Sequence, residues 1–159
     1  MSYIQNIKRY FRSAFREFFV YHNSSLEFRA KLFAIVAGAN EVISDKEEKI
    51  IKDAAIKIYN KDEDRASTLW LATKEYVQKI QSDNDLGVDE LAKDITHLLK
   101  RNRRFVSKID INILKPLMEI QEDQDTKDYQ KHILDFLQDL KVEFTPKVDP
   151  QEEVLSSRV

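Results

Sequence analysis

The sequence predicts an all-α fold, a single-domain bundle of about seven helices. Three observations predict it. Apolar residues recur at three- and four-residue steps through nearly the whole chain, the period of a helix face. Residues that break helices are scarce. The 159 residues include two Gly and three Pro, where average usage would supply roughly eleven glycines. The breaks that do occur carry Ser, Asn and Asp, which cap helices with their own side-chain oxygens. No convincing strand pattern interrupts the series.

The first helix runs from about Tyr3 to Tyr21, with Ile4, Ile7, Phe11, Ala14, Phe15 and Phe18 on one face. Asn23, Ser24 and Ser25 end it. The second runs from about Ser25 to Gly38, with Phe28, Leu32, Ile35, Val36 and Ala39 as its face. Ser24 and Glu27 have capping-box spacing. Ala34, Ala37, Gly38 and Ala39 are small enough to let another helix approach. The third starts after Ser44, where Ser44 and Glu47 repeat the box, and shows Ile50, Ile51, Ala54, Ala55 and Ile58. Asn60 with Glu63 reads as the next cap. The fourth helix then carries Ala66, Leu69, Trp70, Thr73, Val77 and Ile80.

Ser82 to Gly87 is the clearest loop, dense in turn formers. The fifth helix follows, with Val88, Leu91, Ala92, Ile95, Leu98 and Leu99 on one face. The sixth covers roughly Phe105 to Ile120. Pro116 within it either kinks the helix or marks a new start, because it cannot donate to the Asn112 carbonyl. The seventh begins near Asp125 or Thr126 and runs through Tyr129, Ile133, Phe136, Leu137 and Leu140. From Thr145 the periodicity stops among Pro146, Pro150 and polar residues, the composition of a disordered tail. The chain therefore divides into an amphipathic N-terminal helix (1–22), a helical domain (23–144) and a tail (145–159).

Composition removes several chemistries. Gly38 and Gly87 stand alone, so no phosphate loop, dinucleotide fingerprint or nucleophile elbow can be built. No Cys means no disulfide, thiolate nucleophile or zinc ribbon. No uninterrupted apolar leader opens the chain, and no run of about twenty apolar residues could span a bilayer. A cytoplasmic location is the expectation. The net charge of −2 hides segregation: residues 1–36 hold six basic and two acidic side chains, residues 119–139 two and seven.

Residues 31–59 read KLFAIVAGANEVISDKEEKIIKDAAIKIY. An apolar helix ends in small residues, a short acidic turn carries one aliphatic residue, Ile43, and a capped helix opens with acids. This resembles the core motif of the TerB-like (tellurite-resistance B) family, whose usual form is A-D-G-x-I-s-x-x-E. Related domains occur in the membrane-anchored DjlA co-chaperones. Ala39, Ile43, Ser44 and Glu47 match. Asn40 stands where the family usually has Asp, and Glu41 where it usually has Gly. The stretch Glu122-Asp123-Gln124-Asp125 between the last two helices repeats the plan of helix, acidic turn and capped helix, much as TerB-like domains are pseudo-repeated. The resemblance implies an all-helical, non-enzymatic interaction or sensor module, stress-linked and peripheral at the inner membrane surface. It also implies a weak divalent-cation site at acidic turns, for which the candidates here are Glu41, Asp45, Glu47, Glu122, Asp123 and Asp125. The same acids equally suit helix N-termini, where carboxylates meet orphan N–H groups and the dipole.

Two further clusters stand out. Lys100, Arg101, Arg103, Arg104 and Lys108 put five cations in nine positions beside Phe105. They could grip phosphates or an acidic partner, or simply decorate a helix C-terminus. The first helix combines Lys8, Arg9, Arg12 and Arg16 with Phe11, Phe15, Phe18 and Phe19, the look of an interfacial membrane helix or of a partner surface. The favoured expectation is a module that binds a protein partner, with a homo-oligomer also consistent. The alternatives are a nucleic-acid accessory protein acting through residues 100–108, and a hydrolase with an unrecognised acidic dimetal site. His22, His97 and His132 share no ligand spacing.

Overall fold

A computed structural model describes residues 24–40, 42–82 and 87–147. The expected N-terminal helix, Glu41, part of the loop after Ser82 and the tail beyond Lys147 lie outside the described residues. Among those described there are six α-helices, one 3₁₀ turn and no strand. They are α1 (Ser24–Ala37), α2 (Asp45–Ile58), α3 (Glu63–Gln81), α4 (Val88–Arg101), the 3₁₀ turn Arg103–Lys108, α5 (Ile111–Glu119) and α6 (Gln124–Phe144). The fold is the predicted all-α bundle. None of the described helices is long and apolar enough to cross a membrane.

α1 is the axis of the molecule. It packs against α3, α4, α5, α6 and the 3₁₀ turn. The sequence reads as one apolar face; the helix is instead buried almost all round from Leu26 to Ala37, with only Glu27 and Arg29 partly exposed. A helix surrounded by others cannot keep a polar stripe. The signal lies in Leu32 to Ala37, six consecutive apolar residues. Small residues close the α1–α3 contact as expected. A Cβ built on Gly38 would sit 2.8 Å from Ile80 Cδ1 and 2.7 Å from the Ala34 carbonyl oxygen.

Caps set most of the boundaries. The Ser44–Glu47 box is present in both directions. The Glu27 carboxylate accepts from the Tyr76 hydroxyl and lies 3.7 Å from Lys31 Nζ, so its side chain is directed at α3 and its own helix face. At the end of α2 the expected cap, Asn60, does another job. Asn60 and Lys61 adopt positive φ, 49° and 67°. The Asn60 N–H reaches Lys57 O at 3.4 Å and the Lys61 N–H reaches Ile56 O at 3.0 Å. This Schellman pattern terminates α2. Asp62 caps α3 instead, accepting from the Arg65 N–H.

The expected sixth helix is two elements. Asn102 caps the 3₁₀ turn and Asp110 caps α5 through the Asn112 N–H at 3.0 Å. The chain breaks at Ile109–Asp110 because an Asp side chain competes for nearby backbone donors. Pro116 stays inside α5 and does not start a helix. The last helix starts at Gln124, slightly earlier than expected, because Asp123 is its cap. Phe105 is buried and stacks on Phe28, with ring centroids 5.0 Å apart, which pins the 3₁₀ turn to the start of α1.

Candidate functional site

The turn between α1 and α2 is held by a polar lock. Glu47 is fully buried. Its Oε2 accepts from the Ser44 N–H at 2.8 Å. Its Oε1 accepts from Asn40 Nδ2 at 2.7 Å and from Gln121 Nε2 at 2.9 Å. Gln121 Nε2 also donates to the Leu117 carbonyl at 3.0 Å, and Asn40 Nδ2 reaches Gln121 Oε1 at 3.2 Å. The Asn40 carbonyl accepts from Gln81 of α3. A buried carboxylate is tolerated only when hydrogen-bonded, and here three N–H donors meet it. The two acidic turns do lie together, joined through amide groups.

The six residues expected around a cation separate accordingly. Glu47 has its oxygens committed to the lock. Asp123 accepts from the Thr126 N–H at 2.9 Å and the Thr126 hydroxyl at 2.7 Å. Those two hydrogen bonds, the hydroxyl first, hold its carboxyl below the ordinary value of 3.8. The cap it makes is therefore present above the ordinary carboxylate range and is lost only as pH falls through the lower folded value. Asp45, Glu122 and Asp125 are exposed. Glu41 lies outside the described residues. No three His, Asp or Glu side chains among the described residues are gathered to hold a metal ion. His97 and His132 are exposed on α4 and α6, and His22 lies outside the described residues.

A second network has no counterpart in the sequence reading. Lys31 is buried, with Nζ 2.6 Å from Asp94 Oδ2 and 5.4 Å from the centroid of the Tyr76 ring. With Glu27 it links α1, α3 and α4. Lys31 and Asp94 are 63 residues apart in the chain, so no local motif announces them. Tyr129 of α6 has its phenol raised above the ordinary 10.0, by partial burial first and by the Asp89 charge second.

The five cations of the basic cluster share one corner. Lys100 and Arg101 close α4; Arg103, Arg104 and Lys108 lie on the 3₁₀ turn. All but Lys108 are exposed, and Lys108 is half-buried. None forms an ion pair with a described acidic residue. Phe105 turns inward, so the aromatic residue beside the cluster is not available to stack on a base. The basic and aromatic residues expected on an N-terminal helix, Lys8, Arg9, Phe11, Arg12, Phe15, Phe18 and Phe19, lie outside the described residues.

A groove of about 710 Å³ runs between α2 and α3. Trp70, Leu71 and Ile56 form its apolar part. Ile56 is 42% exposed. Lys52 stands over the Trp70 ring, 5.5 Å from its centroid. Glu63 and Asp64 rim the end where α3 begins, and Lys74 lies about 15 Å further along the helix. Trp70 reads from the sequence as a core position on the fourth helix. Its partial exposure appears only when α2 and α3 are packed, since that packing leaves one flank of each helix without a neighbour among the described residues.

Comparison with known family models, with curated proteins and with solved structures finds no match.

Proposed function

We propose that this protein is a non-enzymatic interaction module of the TerB-like type, and that the α2–α3 groove is where it receives a protein partner. The observation that carries this reading is a channel, open among the described residues, floored by a partly buried Trp and an exposed Ile between two helices. Helix-in-groove recognition uses such surfaces, with apolar anchors in the groove and charges at its edges. Interface hot spots favour Trp. The rim selects the partner's chemistry. It is acidic where α3 begins and basic at Lys74, while Lys52 is paired with Glu48 at 2.5 Å, so the matching ligand is an amphipathic helix, apolar on one side, with cations toward one end and a carboxylate toward the other. The polar lock supports the same reading. It fixes the α1–α2 turn through direct hydrogen bonds, and so holds α2 in place as one wall of the groove.

Ile56→Glu tests the proposal, because the position is exposed and the change should fold normally. In pulldowns from the native host, the full chain should retain a protein that the Ile56→Glu variant releases. The fluorescence of Trp70, the chain's single Trp, should shift to shorter wavelength as the purified partner is added. Equal capture by both chains, or a Trp70 spectrum that ignores the partner, would overturn the groove as the site.

A further inference from the structure

We propose that the occupant of the α2–α3 groove is a second copy of this chain, docked as a twofold dimer with its α3 antiparallel to the first. The inference rests on the groove reading above and names its partner. It starts from the stripe that α3 shows to the groove. Glu63, Ser67, Trp70 and Lys74 line the groove. Steps of four, three and four residues keep them on one face of the helix. Glu63, Ser67 and Lys74 are exposed, and Trp70 is partly buried.

This stripe is self-complementary. In a twofold contact, residue i of one copy meets j of the other, and j meets i. Glu63 and Lys74 are equally far from the midpoint between Thr68 and Leu69, and so are Ser67 and Trp70. Two antiparallel α3 helices that meet at this midpoint therefore set Glu63 of each copy against Lys74 of the other. The same register sets the small Ser67 against the large Trp70 ring. A slip of one helical turn would lose both matches. A parallel arrangement would face Glu63 with Glu63 and Lys74 with Lys74. Asp64, next to Glu63, adds a second carboxylate at each acidic end.

The charges are free to make these contacts. Glu63, Asp64 and Lys74 form no ion pair with another described residue. Lys52 is already held by Glu48 and stands over the Trp70 ring, so it belongs to the wall of the groove. Ile56, exposed on α2, meets the flank of the arriving helix. The groove asks for an amphipathic helix with opposite charges at its two ends. The chain's own α3 carries carboxylates at its start and a cation about 16 Å further on, which is the same spacing. A contact about one helix wide belongs with the small interfaces of weak complexes. Dissociation is therefore expected at roughly 10–100 µM.

Sedimentation equilibrium of the full chain, from about 5 to about 500 µM so as to span that range, tests this. The mass should rise from monomer to dimer with concentration. On dilution the emission of Trp70, the single Trp, should move to longer wavelength. Lys74→Glu sets acids against acids, and a Glu63→Lys, Asp64→Lys variant sets cations against cations. Each alone should self-associate about tenfold more weakly. An equimolar mixture of the two should dimerise like the wild type, because every rim contact then joins opposite charges. Damage to either fold would not produce that recovery. Ile56→Glu should also weaken the dimer. A wild-type chain that stays monomeric throughout would overturn the second copy as occupant. Capture of a different host protein, lost in Ile56→Glu, would in that case keep the groove as a site with another partner; no such capture would remove the groove too. A dimer untouched by Ile56→Glu, or a mixture that does not recover, would overturn the proposed contact.

Discussion

Asn40 shows how one side chain can change what a turn requires. An aspartate at this position would put a carboxylate beside Glu47. The amide instead donates to Glu47 Oε1 and to Gln121 Oε1. Asn40→Asp would replace that donor with an acceptor and put two carboxylates at one point. Leaving such groups unmatched costs about 1–3 kcal/mol, so urea melts at neutral pH should show a loss of about 2 kcal/mol. The deficit should shrink as the pH is lowered, because a proton shared between two carboxylates removes the repulsion. An Asn40→Asp variant as stable as the wild type across that range would show that the lock does not hold the turn. Glu47 is legible as the far half of a capping box, since Ser and Glu stand three apart. Its second job is not. Gln121 is 74 residues away, and a Gln in a turn carries no spacing that names its partner.

At the scale of elements, local chemistry names some boundaries and misassigns others. Ser44 caps α2 as its sequence spacing requires. The exit from α2 departs from the sequence reading because Asn serves both as an N-cap and as a left-handed terminator, and Asp62, two residues on, takes the cap. The cost of that exit falls on Lys61, at φ 67°. A side chain in the left-handed region costs roughly 1–2 kcal/mol, which glycine avoids at some entropic cost of its own. Lys61→Gly should therefore raise stability by about 0.5–1 kcal/mol, read as a higher urea midpoint with an unchanged slope. A lower midpoint would mean that Lys61 makes an interaction worth more than its backbone strain. The break between the 3₁₀ turn and α5 has the same origin. An apolar period runs through residues 105–120, but Asp110 can cap only by leaving the helix.

The whole molecule is organised around a buried helix, and this decides which residues are exposed for function. α1 fills the centre, so every other element has one side against it or against a neighbour, and the flanks of α2 and α3 that no described residue covers become the groove. Phe105 couples the basic corner to that centre. Phe105→Ala would remove the stack on Phe28 and leave a cavity at the start of α1. Thermal or urea unfolding should register about 3–5 kcal/mol of lost stability. A loss below about 1 kcal/mol would mean that the 3₁₀ turn is anchored elsewhere.

The all-α class, most of the helices between Ser24 and Phe144 and the main apolar positions followed from the sequence alone. Helical period and side-chain caps are local properties, expressed over three or four residues whatever lies nearby. The tertiary structure decided what local rules cannot encode. It buried α1 on every side, brought Asn40 and Gln121 to Glu47, and paired Lys31 with Asp94. It turned Phe105 inward and left Trp70 partly exposed in a groove. Each of these depends on which helix becomes the neighbour of which. That choice is made by the packing of whole apolar faces, and no short stretch of sequence carries it.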